Sequence, residues 1–273
     1  MSINVRRAAA RVLAAAGLSV IFCSLADAAP TAPSIAINFA SDEPVLTPPG
    51  VGSPITASGA AGVLNTVTWN NLTGADSTAP VTLNADVAGT LTPTAATVTW
   101  SSPNTWASTG RGEENNTAPA GNNKSLMTGY IDTLGVGAEG TSITVANLPP
   151  VQGFPFFDVY VYMQGGANNR GGTYTIGGIT KEHTGLGPFT GTFVEDTIDP
   201  GTTANSNYLV FRGLSGTGFT LTSTPTLGNP ARAPINAIEI VASPVPEPAT
   251  VALLGTGAIL VTAGVCLRRR RVQ

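Results

Sequence analysis

Cysteine is almost missing from this chain of 273 residues, and the two present, Cys23 and Cys266, fall in its end segments. The long middle therefore holds no disulfide, no thiolate zinc site and no cysteine nucleophile. Histidine is scarcer still. The single one, His183, would have to serve any Ser-His-Asp relay or imidazole-bound metal, and zinc with one histidine and no cysteine is chemically poor. Charge is thin as well: charged residues make up 11% of the chain, against roughly 25% in an average soluble domain. Positive charge is least available in the middle. Seven of the thirteen Lys and Arg residues sit at the ends, as Arg6, Arg7, Arg11, Arg268, Arg269, Arg270 and Arg271. Between Pro30 and Val245, six basic residues stand against fourteen acidic ones, a balance of −8. Nothing there can neutralise a phosphate track, so no nucleic-acid partner is expected. A Walker loop and a dinucleotide fingerprint are also missing.

The two ends read as addresses. After the N-terminal arginines an apolar stretch runs from Val12 to Leu25 and closes on Ala26-Asp27-Ala28-Ala29, which suits small-x-small cleavage after Ala28. Residues 1–28 are expected to be a secretory signal peptide with a helical apolar segment, too short for a comfortable span. The residues after Arg6-Arg7 do not support twin-arginine export. At the other end Pro246-Glu247-Pro248 precedes an apolar run over 249–267 and then four arginines, 268–271. Nineteen helical residues reach about 29 Å, matching a hydrocarbon core of about 30 Å. Four guanidinium groups stop transfer and stay on the cytoplasmic side. Both charge asymmetries place the middle outside the inner membrane.

Those C-terminal features, a Pro-Glu-Pro motif, one span and a terminal arginine cluster, resemble the PEP-CTERM sorting signal of Gram-negative bacteria. The resemblance implies an exosortase-type processing enzyme as partner and membrane attachment through the C-terminal helix before processing. The product is then released or attached at the cell surface, in an exopolysaccharide and biofilm setting. The residues alone give a tail-anchored exported protein.

The middle, 31–243, is expected to be one all-β domain, a β-sandwich of jelly-roll type with about ten short strands. Alternation is its dominant signal. Ile35, Ile37 and Phe39 share a face, as do Phe157, Val159, Val161 and Met163, with Asp158, Tyr160 and Tyr162 opposite. Val67 with Trp69, Val98 with Trp100, Ile143 with Val145, Tyr174 with Ile176, Leu209 with Phe211, Phe219 with Leu221 and Ile238 with Ile240 repeat the pattern. Asn70-Asn71, Gly165-Gly166, Gly177-Gly178 and Gly213-Leu214-Ser215-Gly216 read as turns. The stretch 234–241 resembles the closing strand of galactose-binding-like and malectin-like jelly rolls. That likeness implies that it lies near the opening strand 34–39, that 157–162 is an interior strand, and that carbohydrate is a candidate ligand class.

Residues 100–123 form the most functional-looking loop, with Trp106 and Arg111 beside Glu113, Glu114, Asn115 and Asn116. An indole stacks on a sugar face, while Arg, Asn and Glu fix hydroxyls. A second polar loop, 164–172, brings Asn168 and Arg170. Candidates for carbohydrate contact are therefore Trp106, Arg111, Glu113, Glu114, Asn168 and Arg170. The carboxylates Asp42-Glu43, Glu113-Glu114 and Glu195-Asp196, with Asp199 nearby, are the candidates for glycosidase chemistry, though adjacent residues on a strand face opposite ways. His183 reads as a solvent-exposed loop histidine. No cofactor and no metal are expected; a structural Ca²⁺ would use these carboxylates, without EF-hand spacing. The expectation is a non-enzymatic, exported cell-surface or extracellular-matrix protein that binds polysaccharide. The alternatives are a secreted carbohydrate-active enzyme and a purely structural envelope protein.

Overall fold

A computed structural model describes residues 32–40, 55, 59–110, 112–133, 140–149, 154–227 and 231–243. The expected signal peptide 1–28, the expected sorting segment 244–273, Asp42-Glu43 and Arg111 lie outside the described residues. Among the described residues thirteen strands and one short helix follow in order: β1 Ser34–Phe39, β2 Trp69–Leu72, β3 Asp76–Val87, β4 Thr90–Ser101, β5 Asn104–Ala107, α1 Asn122–Leu126, β6 Gly129–Asp132, β7 Thr141–Ala146, β8 Phe156–Tyr162, β9 Arg170–Ile176, β10 Ile179–Gly185, β11 Tyr208–Ser215, β12 Phe219–Leu227 and β13 Ala237–Ala242. The all-β expectation holds. Among the described residues no helix is long and apolar enough to cross a membrane.

Ten strands pair along one path, β10-β9-β12-β7-β4-β3-β1-β13-β8-β11, with β2 parallel to β1. The path bends at β3 and β1, which share one register pair, Ser34 opposite Asp86. Rings that are not sheet neighbours meet across the bend: Phe39 of β1 against Trp100 of β4 at 5.9 Å, and Phe157 of β8 against Phe219 of β12 at 5.8 Å. The molecule is thus a sandwich of a six-stranded and a five-stranded layer. Between them lies the main core, to which Ile37, Leu83, Val98, Ile143, Val159, Tyr174, Phe211, Leu221 and Ile240 contribute. These are the apolar faces that alternation marks. The opening and closing strands pair antiparallel, Ile37 opposite Ile238, and β8 lies between β13 and β11.

The five-stranded layer is covered on its second face too. Tyr162, Tyr208, Val210 and Ala237 pack there under Ile55, Ala61, Leu126, Met127 and Phe189. All six residues of β1 are buried as a result. Trp69 joins this second cluster edge-on to Tyr162, so it does not share a core with Trp100. Asn70-Asn71 is corrected from turn to strand: both lie in β2, and Asn70 donates to the Ala36 and Asn84 carbonyls while accepting from the Asn84 amide. A side-chain amide there does the work of a backbone ladder. Gly213 to Ser215 likewise continue β11 past a register shift between Phe211 and Leu214. Gly177-Gly178 is a turn as read, with φ of 57° and 82°, the pair that a tight hairpin between β9 and β10 needs.

Burial on both faces puts one carboxyl fully inside. Glu239 of β13 is 0% exposed. Tyr162 donates to its Oε2 at 2.9 Å, the Thr66 hydroxyl donates to Oε1, and the Val63 amide donates to the Tyr162 hydroxyl at 2.9 Å. The carboxyl thereby ties segment 61–66 to the sheet. Burial raises its pKa from 4.5 to about 7, against the opposing effect of those two hydrogen bonds. A pKa raised on folding gives stability that is complete below the unfolded value and lost as pH rises through the folded one. The thermal midpoint is expected to fall by at least about 3 °C from pH 5 to pH 8, the effect of about 1 kcal/mol in a domain this size. Glu239→Gln should flatten part of that slope; equal slopes for both proteins would contradict this role.

Candidate functional site

The two polar loops do meet. Strand β5 places Trp106 opposite Tyr130 of β6, and Glu113 follows in the same loop. Arg170 opens β9 and reaches Glu113 with both terminal nitrogens, Nη2 to Oε1 at 2.6 Å and Nη1 to Oε2 at 3.2 Å. The Trp106 indole N–H donates to the same Oε2 at 3.2 Å. The Arg170 side chain is only 10% exposed, so this two-pronged pair is partly shielded from water. The carboxylate lies directly over Gly166, where a Cβ would stand 1.9 Å from Oε2. The Gly166 amide in turn donates to the Tyr130 hydroxyl at 3.1 Å. Three of the six candidate contacts, Trp106, Glu113 and Arg170, are therefore brought together, and they bind each other.

The other candidates go elsewhere. Glu114 turns back on its own loop, accepting from the Thr109 hydroxyl and, at 2.9 Å, from the Gly110 amide; these bonds hold its pKa below the ordinary value. Asn168 is exposed at the tip of the second loop. Asn115 and Asn116 are buried: Asn115 donates to the Gly165 carbonyl and Asn116 to Lys124 and Thr128. They secure the loops rather than face solvent.

Beside the pair lies a carboxyl that the sequence did not single out. Asp132 of β6 is 2% exposed, with Oδ2 at 3.0 Å from Arg232 Nε and Oδ1 buried without a hydrogen-bond partner among the described residues. Burial lifts its pKa to about 7, while Arg232 and Arg170 pull the other way. It follows Tyr130-Ile131 in the chain, and a lone acid after two apolar residues was the only signal of burial.

His183 is corrected from exposed loop to buried strand. It is 2% exposed on β10 and faces inward with Lys181, whose Nζ lies 6.0 Å from the Phe211 ring centre. Its Nδ1 meets Asp196 Oδ2 at 2.9 Å; the carboxylate accepts only, so Nδ1 carries the proton. Ser206 Oγ lies 3.4 Å from the same Nδ1. A nucleophile relay needs serine and acid on opposite ring nitrogens, and here Nε2 is buried without a partner among the described residues. Burial pushes the Asp196 pKa up, but the bonds from His183 and the Thr203 amide outweigh it and hold it below the ordinary value. Glu195 points away, paired with Arg212 at 2.7 and 2.8 Å. Among the described residues no three His, Cys, Asp or Glu side chains converge as a metal-ligand set.

Arg170→Ala should cost about 2 kcal/mol in urea unfolding, below the 3–5 kcal/mol of a fully buried pair because Glu113 is partly exposed. In a double-mutant cycle with Glu113→Ala the two losses should overlap by about 1 kcal/mol. Additive losses would mean that the two side chains do not act as one brace.

Beyond the described residues, 244–271 match the PEP-CTERM protein-sorting motif, with Pro246, Glu247 and Pro248 at its head and Arg268, Arg269, Arg270 and Arg271 at its tail. No curated protein and no solved structure matches the chain. The chain is an exported protein bearing a PEP-CTERM sorting signal, anchored in the membrane through its C-terminal region before an exosortase processes it.

Proposed function

We propose that the sandwich, once sorted, serves as a non-enzymatic component of the cell surface or extracellular matrix and meets polysaccharide there. One observation carries the first half of this reading: four of the loop carboxylates available for glycoside chemistry are already engaged. Glu113 is held by Arg170 and Trp106, Glu114 by its own loop, Glu195 by Arg212 and Asp196 by His183. A glycosidase needs two carboxyls facing one cleft with their pKa values set apart. The neighbours Glu113 and Glu114 part company, as do Glu195 and Asp196. The second half rests on the sorting signal and on the shape of the fold, a disulfide-free sandwich whose stability comes from its core.

The competing reading, a carbohydrate-active enzyme, has Asp132 in its favour, since a carboxyl with a pKa near 7 suits a general acid. Its burial keeps it from any sugar chain. The full chain, incubated with neutral and acidic polysaccharides, is expected to bind without releasing reducing ends. Release abolished by Asp132→Asn, Glu113→Gln or Glu195→Gln would replace this proposal with the enzyme. Absence of binding to every polysaccharide would leave a purely structural envelope protein.

A further inference from the structure

The outward face of the six-stranded layer is an array of hydroxyls. Strand pairing sets Ser101, Ser142, Thr222, Thr175 and Thr180 in one row across β4, β7, β12, β9 and β10, each opposite the next. A second row on one side holds Thr99, Thr144 and Thr220; a third on the other holds Thr224, Thr173 and Glu182. Neighbouring strands lie about 4.8 Å apart and alternate residues about 6.8 Å, so the hydroxyls form a regular net. Some of them lock together, Thr144 with Thr220 at 3.0 Å and Thr175 with Thr180 at 2.9 Å. Threonine suits strands in general. That preference does not explain the near-absence of charge, because a merely solvated face carries mixed Lys and Glu. Two carboxylates mark the borders of the net: Glu182 in the third row, and Asp76 of β3, which pairs with Ser101 and so continues the first.

The net has an entrance. A register shift between Ser77 and Val81 displaces the start of β3 from β4. Ser77 and Thr78 there stand beside Thr99, Trp100, Ser101, Ser142 and Thr144 around a groove of about 260 Å³. That is slightly under the roughly 300 Å³ at which pockets for drug-sized ligands begin, room for about one sugar ring. The groove lining offers hydroxyls that donate and accept and threonine methyls, with no charged side chain of its own and the Asp76 carboxylate next to it, opposite Ser101.

Charge and shape select the occupant. No cation in the rows can pair with a uronate or sulfate, and the −8 balance of the middle repels a polyanion. The occupant must be neutral and rich in both hydroxyls and C–H surface. Neighbouring strands rotate by roughly 20°, so five of them make a saddle that a single chain follows and a flat crystal face does not. The segment leading to the membrane leaves from β13, in the opposite layer, so it does not start on this face. We propose that this hydroxyl face, entered at the Ser77 and Ser142 groove, docks single chains of a neutral polysaccharide.

The proposal rests on the reading that the protein meets polysaccharide, and the test separates the two. The full chain, kept in a detergent without a sugar headgroup, is run in native gels containing hydroxyethyl cellulose, dextran, galactomannan or alginate, and is sedimented with microcrystalline cellulose. Thr99→Val with Thr144→Val removes groove hydroxyls while keeping shape and strand preference, and Thr144→Glu introduces a charge. Wild type is expected to be retarded by a neutral soluble polysaccharide and not by alginate, with affinity at least tenfold lower in both variants. Ile198→Ser, an exposed change on a distant loop, should bind as wild type. Retardation that both variants keep, or binding confined to alginate or to the crystalline solid, would overturn this surface while sparing the wider reading. A wild type that binds no polysaccharide would end both.

Discussion

Burial of one β-layer on both faces is the constraint from which the rest of the molecule follows. β1, β13, β8 and the first half of β11 have the main core on one side and a second cluster on the other. Where both faces are covered water is shut out, so each polar group there needs a partner inside the protein, while Asp158 and Tyr160 on the second face of β8 stay half-buried. Glu239 is answered by Thr66 and Tyr162, and Asn236 donates to the Gly129 carbonyl. These contacts pull loop segments onto the sheet and so build the covering layer. The polar partners are what give segments 61–66 and 115–130 a fixed place.

The six-stranded layer obeys the opposite rule. One face packs on the core, the other meets solvent, and its strands alternate apolar with hydroxyl-bearing residues. The chain thus separates its chemistry by depth. Acids are drawn inward or braced in loops, as with Asp132, Glu239 and Glu113, and the outer sheet is left nearly without charge. For an exported sandwich domain without cysteine this arrangement puts stability in the interior and leaves a sheet face without cations for contact.

Alternation made the strands legible because it records burial, a local consequence of the pleat. Ile35, Ile37 and Phe39, or Phe157, Val159 and Val161, announce their face within six residues. The closing strand's place beside the opening one was legible only through its likeness to known jelly rolls. Other features were not legible, for a common reason. Arg170 and Glu113 are 57 residues apart in sequence, and Glu239 and Tyr162 are 77 apart; pairings of that range leave no local trace. His183 sits in Lys181-Glu182-His183-Thr184, a polar stretch that reads as a loop until β10 is paired with β9. Asn70-Asn71 reads as a turn because asparagine favours turns, whereas here its amides substitute for backbone partners. The hydroxyl rows were not legible either: Thr99 and Ser101, or Thr173 and Thr175, alternate along single strands, and their alignment depends on register, which only the fold supplies.

The most direct test of this layered account is amide hydrogen exchange across the strands. If the five-stranded layer is closed on both faces, amides of β8 and β13 exchange only through global unfolding, orders of magnitude more slowly than those of the edge strand β10. Exchange in β8 and β13 as fast as in β10 would mean that the second face is open to water, and the account would be wrong.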